Sequence, residues 1–255
     1  MLSRLRPLLA PGIATVIAFA ILLALGFWQL DRKAWKESLI AQIDARAHGA
    51  PGEIVPEAQW PSWRAADDEF RHVRLTGTFL HDREVAVHGL MSGQRGSPIQ
   101  GYYVFTPLRL AGGAAVMVNR GFVPTELREP ARRGETPPPG GVEITGLVRA
   151  PETRGSFVPE NDPAKEQWFV RDLAAMARAR GLERAAPFWI DLAPAPGATG
   201  WPRPGQTRLT IPNHHLGYAL TWFGIALALF GVFGAWAWNR VRSSAPMVPR
   251  AANQR

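Results

Sequence analysis

Two long stretches of this chain carry no charged side chain: residues 8–30, LLAPGIATVIAFAILLALGFWQL, and residues 216–238, LGYALTWFGIALALFGVFGAWAW. As a helix rising about 1.5 Å per residue, either one covers the roughly 30 Å of a bilayer's hydrocarbon. A core helix of a water-soluble protein shows an apolar stripe and a polar back, and neither run has that back. The pattern predicts two transmembrane helices, and they divide the 255 residues into an end at 1–7, a single domain at 31–215 and a tail at 239–255.

The first run is longer than the apolar core of a secretory signal, and WQLDRKAWKESL follows it where a cleavage site of small residues would stand. It reads as an uncleaved anchor. Too few residues precede it for an organelle transit peptide, which points to a bacterial plasma membrane. Charge gives the orientation. Arg4, Arg6, Arg240, Arg242, Arg250 and Arg255 lie outside the two runs with no acid beside them, while all 21 acids fall between Asp31 and Asp191. Short basic ends stay in the cytoplasm, so both termini are expected there and the central domain in the periplasm. The net charge of +8 is therefore mainly a topology signal. The domain itself is nearly neutral, which argues against nucleic acid as a partner and leaves membrane lipid as the expected surrounding of the ends. There is no cysteine, so disulfides, zinc thiolates and iron–sulfur ligation are excluded.

Within the domain, DRKAWKESLIAQIDARA (31–47) has helical spacing at Trp35, Leu39, Ile40 and Ile43 and should prolong the first span. Strands are then expected at 72–80, 84–91, 101–110, 114–124, 142–150, 187–193 and 206–211, with HDR (81–83) and AGG (111–113) as hairpin links. VRDLAAMARARGL (170–182) is an amphipathic helix closed by Gly181. The fold class is α+β: two transmembrane helices flanking a mostly antiparallel β-barrel or sandwich with one or two helices.

No phosphate-binding loop, H-E-x-x-H or G-x-S-x-G occurs, and GQRGSP (93–98) reads as a plain loop. His48, His72, His81 and His88 lack ligand spacing and read as structural or solvated. Asp67 and Asp68 are neighbours in a loop that need not face each other. No catalytic constellation is evident, so the chain is read as a non-enzyme. VNRGFVP (118–124) stands out: Gly121 there implies a special backbone angle or a close approach, and Pro124 a strand end. Arg120 either hydrogen-bonds a neighbouring loop or meets a partner.

IPNHHLGYALTWF (211–223) places two imidazoles at the lip of the second apolar run. On a helix starting near Asn213, His215, Tyr218, Ala219 and Trp222 share a face, and His214 turns about 100° away. An imidazole beside aromatic rings at a membrane surface suits a flat, apolar, iron-bearing ligand, and haem iron commonly takes an axial His. Arg203 and Arg208 lie upstream as donors for its propionates. The plainer reading is an interfacial cap, with Asn213 as N-cap and the rings anchoring the headgroup zone. Gly224, Ala228, Gly231 and Ala235 form a small-residue stripe that admits a second helix, the first span or one from another protein.

Four blocks in order resemble the Surfeit locus protein 1 family: LGFWQLDRKAWKESLI (25–40), GYYVFTPLRL with VMVNRGFVP (101–124), FVPENDPAKEQWFVRDLAAMA (157–177) and GQTRLTIPNHHLGYALTWFGIALA (205–228). That family's members are known as assembly factors for cytochrome c oxidase. The resemblance implies two membrane helices around an extracytoplasmic domain, and a part in building the haem a-containing subunit I of the oxidase. Bacterial relatives are thought to bind haem a and pass it on, which brings in haem a synthase as the donor. The family's motif histidine falls on His215, with His214 at a variable position, and Phe122 stands where the family often has Trp. The expected site is thus His215 as iron ligand with Tyr218, Trp222 and Arg208 around haem a as carried cargo. The alternatives left open are a haem-free scaffold for an oxidase intermediate, an enzyme of haem or copper maturation, and a two-span sensor.

Overall fold

The computed structural model describes residues 2–92, 97–135, 140–194, 200–205 and 212–243. Two compact units emerge, one from the two chain ends (1–41 with 210–255) and one from residues 42–209.

In the first unit, α1 (Leu2–His48) is one unbroken helix that carries the apolar run straight into the charged 31–47 segment, and α4 (His215–Ser243) holds the second run. Both are long and apolar enough to cross a membrane. Their apolar side chains are not spent on a protein core: Leu9, Ile13, Val16, Ile17 and Ile21 of α1 and Leu220, Leu227 and Val232 of α4 stand more than half exposed. Exposed apolar surface on that scale marks contact with something other than water. The helices run antiparallel, with Phe19 against Phe230 and Phe27 edge-on to Phe223 at 5.4 Å between centroids. Gly26 permits the approach, since a Cβ there would stand 2.4 Å from the Phe223 ring. Gly224 and Gly231 meet nothing within 4 Å, and Ala228 and Ala235 are exposed. The small-residue stripe therefore faces away from α1; the seam uses Ala219, Phe223 and Ala226 instead.

The second unit is a barrel. Its strands are β1 (Gly52–Glu53), β2 (His72–Phe79), β3 (Val85–Ser92), β4 (Pro98–Arg109), β5 (Ala115–Pro124), β6 (Val142–Arg149) and β7 (Ala185–Leu192), with short helices α2 (Ala65–Asp68) and α3 (Leu173–Ala179). The order β2–β6–β7–β5–β4 closes on itself where Thr78 and Phe79 of β2 pair with Arg109 and Leu108 of β4. Of the barrel and sandwich both expected, the chain adopts the barrel. Most pairs are antiparallel, but β5–β7 and β1–β2 are parallel. AGG does join a hairpin, β4–β5. HDR does not: it forms a 3-10 turn between β2 and β3, which pair one after the other with a single edge of β4, β2 at Leu108 and Arg109 and β3 at Pro98 to Phe105, while β5 takes the other edge. Closure uses the stretch of that edge beyond Phe105, which β3 leaves open. The 206–211 strand lies outside the described residues.

Alternation builds two main cores, with a smaller cluster at Tyr102, Val104 and Val123. Val73, Leu75, Leu108, Val116, Val118, Val148, Phe188 and Ile190, drawn from all five barrel strands, fill the interior. The residues between them, Phe105, Met117 and Trp189, face outward and are covered by Trp168 and by Leu173 and Met176 of α3. This is why β5 is buried along almost its whole length. The expected 170–182 helix shortens to seven residues, because the Asp172 carboxylate accepts the Ala175 N–H at 3.0 Å and fixes the N-cap there.

Phe188 is fully buried against Trp60 and Trp63. Phe188→Ala should cost about 3–5 kcal/mol of domain stability. In urea titration of the full chain in mild detergent, it should lower the midpoint without changing the slope.

Candidate functional site

His215 opens α4 and is half-buried. The Asn213 side chain, the expected cap, accepts the His215 backbone N–H at 3.4 Å, and the Tyr218 N–H bonds the His214 carbonyl at 3.3 Å as the first bond of the helix. The imidazole Nδ1 lies 2.7 Å from Gln29 Oε1 on α1. With the amide oxygen facing it, Nδ1 is the donor of this contact. Nε2 has no hydrogen-bond partner among the described residues.

The expected face is only partly gathered. His215, Ala219 and Trp222 lie on the less exposed side of α4, with Ala219 fully buried, while Tyr218 turns outward. His214 is exposed. Arg208 lies outside the described residues. Arg203 belongs to the domain, where its guanidinium stacks 4.2 Å over the Trp201 ring. Gln29 was not singled out from sequence. It is the one polar residue between Val16 and Leu30, and that isolation was the available signal.

In the domain, the VNRGFVP segment is structural. The β4–β5 register slips between Val104 and Phe105, which pair with Gly121 and Asn119, so Arg120 is the extra residue of a β-bulge. Gly121 has φ +123°, and a Cβ on it would stand 2.0 Å from the Arg203 carbonyl oxygen. Both the angle and the close approach demand glycine, and Phe122 and Arg203 exchange backbone hydrogen bonds across it. Asn119 donates to Asp191 at 2.8 Å and accepts the Gly121 N–H at 3.1 Å; Trp189 and Arg149 also bond Asp191. Arg120 is buried, ion-paired with Glu135, and 3.4 Å from His81 Nδ1. It therefore holds a loop and presents no partner surface. Burial lowers its pKa to about 10, still a cation at neutral pH.

The other histidines are placed as structural groups. His48 Nδ1 bonds the Asp44 carbonyl and His72 Nδ1 the Gly49 carbonyl. His88 stacks on Phe169 with centroids 4.8 Å apart, beside Tyr102. Asp67 and Asp68 form the end of α2, where Arg64 and Arg71 pair with them separately. Among the described residues no group of three His, Asp or Glu is arranged to hold a metal ion.

Known proteins resemble this chain along most of its length. The profile of the SURF1 family matches residues 16–227, a span that includes Gln29, the bulge and His215. Surfeit locus protein 1 of Homo sapiens is 38% identical over 216 residues, covering 80% of this chain and 70% of the relative. The Xenopus tropicalis protein of that name is 35% identical over 232 residues, covering 84% and 73%. A SURF1-like protein of Monosiga brevicollis is 38% identical over 210 residues, covering 79% and 78%.

The domain should carry a histidine-dependent acid sensitivity. His81 is held below its ordinary pKa first by burial and then by Arg120, with Glu84 and Asp82 pulling the other way; His88 is lowered by burial and then by Arg128. A histidine depressed in the fold contributes stability above its unfolded pKa, about 6.5, and loses it as pH falls through the folded value. The thermal midpoint should therefore drop below about pH 6.5, and His81→Gln with His88→Gln should flatten that slope.

Proposed function

The chain belongs to the SURF1 family, and on that premise we propose that it is a non-enzymatic assembly factor for haem–copper cytochrome c oxidase, one that binds haem a through His215 and aids its insertion into subunit I. Haem a is cargo in this reading, supplied by haem a synthase. The observation that carries it is the state of the His215 ring: half-buried at the start of an apolar helix, Nδ1 taken by Gln29, Nε2 without a partner among the described residues. A neutral imidazole with one occupied and one open nitrogen is what an axial haem ligand requires. Trp222 and Tyr218 would line the macrocycle, and Arg208 would meet a propionate as a charge-assisted donor.

The helices α1 and α4 would sit in a bacterial plasma membrane with both termini cytoplasmic and the domain periplasmic, which the arginines at the chain ends and the confinement of all acids to residues 31–191 support. One observation favours a second reading, a haem-free scaffold that stabilises an oxidase intermediate. The stripe Gly224, Ala228, Gly231 and Ala235 is exposed and unused by α1, as a docking helix would need.

Co-expression with the haem a biosynthetic enzymes, purification in detergent and visible spectroscopy separate the two. Wild type and His214→Ala should show a haem a spectrum, and His215→Ala should lose it while keeping its fold. A colourless, folded wild type would transfer the function to the scaffold. Haem a retained by His215→Ala, together with an oxidase assembly defect, would do the same.

A further inference from the structure

We infer that Gln29 is the positioning residue of the site: by accepting the Nδ1–H of His215, it fixes the ring's tautomer and aim, so that Nε2 is the nitrogen offered to iron. The inference rests on the haem-carrier reading for its purpose, but the contact stands on its own geometry.

A free imidazole in water prefers to keep its proton on Nε2, which would block the very nitrogen that an axial ligand uses. Something must move that proton. Gln29 Oε1 at 2.7 Å does so in this orientation of the amide, where the oxygen and not the NH2 meets Nδ1 and accepts its proton. An amide also does this without charge. A carboxylate at the same place would push electron density into the ring and tighten an iron bond, whereas a carrier has to let its cargo go. Both partners are half-buried, so water competes weakly for the hydrogen bond. Gln29 is fixed in turn by the seam: three residues before it, Gly26 lets α1 approach α4 at Phe223. The two sequence blocks at opposite ends of the chain, 25–40 and 205–228, are thus tied together in one contact.

The test has two arms, both on the full chain in detergent. In the first, histidine labelled with 15N reports the tautomer without haem, the His215 resonances being identified by their loss in His215→Ala. Wild type should show Nδ1–H. Gln29→Leu should return toward Nε2–H, and Gln29→Glu should keep Nδ1–H. In the second, ferrous haem a is titrated into each protein. Gln29→Leu should bind about 10–100-fold more weakly. Gln29→Glu should bind at least as tightly as wild type, with the iron–histidine stretch raised in resonance Raman spectra. A loss of packing alone would not raise that frequency. An Nε2–H ring in wild type overturns the inference, as does a Gln29→Leu protein whose tautomer and affinity match wild type. The wild-type tautomer needs no variant to fold. If wild type shows Nδ1–H but takes up no haem a, the positioning by Gln29 stands and the carrier reading falls.

Discussion

A Cβ on residue 121 would stand 2.0 Å from the Arg203 carbonyl oxygen, so the segment at 200–205 can pair with β5 only because that residue is glycine. Much of the domain's order follows from this one approach. The bulge that gives Gly121 its φ of +123° leaves Arg120 unpaired on β4 and turns it toward Glu135 and His81. Asn119, on the other side of the bulge, bonds the Gly121 N–H and crosses to Asp191 on the parallel neighbour β7. Three adjacent residues thus tie β5 to a returning segment, a loop and another strand, and each tie satisfies a polar group that burial would otherwise penalise by roughly 1–3 kcal/mol.

The unit built from the chain ends obeys a simpler rule. Its seam is apolar and aromatic, with Phe19, Phe27, Phe223 and Phe230 in ring contacts, until it reaches the end where Gln29 meets His215. A polar pair inside such a seam costs stability unless each partner satisfies the other. It also selects one pairing of the two helices, since sliding α4 by one turn would strand both groups.

Local periodicity located the strands because the inward and outward residues of β4, β5 and β7 fall on alternate positions, and each face has its own core to bury. It also located His215 and Gly121, whose residue types are unusual for their surroundings. What it could not encode was pairing across distance. HDR looks like a hairpin link because two strands flank three residues; instead both strands run along the same edge of β4, and β2 closes the barrel there through Thr78 and Arg109. Helical spacing showed that Gly224, Ala228, Gly231 and Ala235 share a face, but not that α1 would choose another. Gln29 lay hidden for the same reason: its partner is 186 residues away, and a lone amide in an apolar run is legible only once the second helix is beside it.

The proposed carriage of haem sets opposed demands, and the pairing of His215 with Gln29 would suit both. Capture needs an imidazole already in the right tautomer, because redistributing the proton and reorienting the ring on binding would subtract from affinity. Release needs a bond that the receiving subunit can outcompete, which a single neutral ligand with a neutral hydrogen-bond acceptor behind it permits and a His–carboxylate pair would oppose. The amide is therefore the informative choice. A site built only to hold haem would gain from an acid at residue 29, and Asp31 and Glu37 farther along α1 show that acids are tolerated on the same helix. In the proposed site, glutamine at that point would order the ring and stop short of strengthening it.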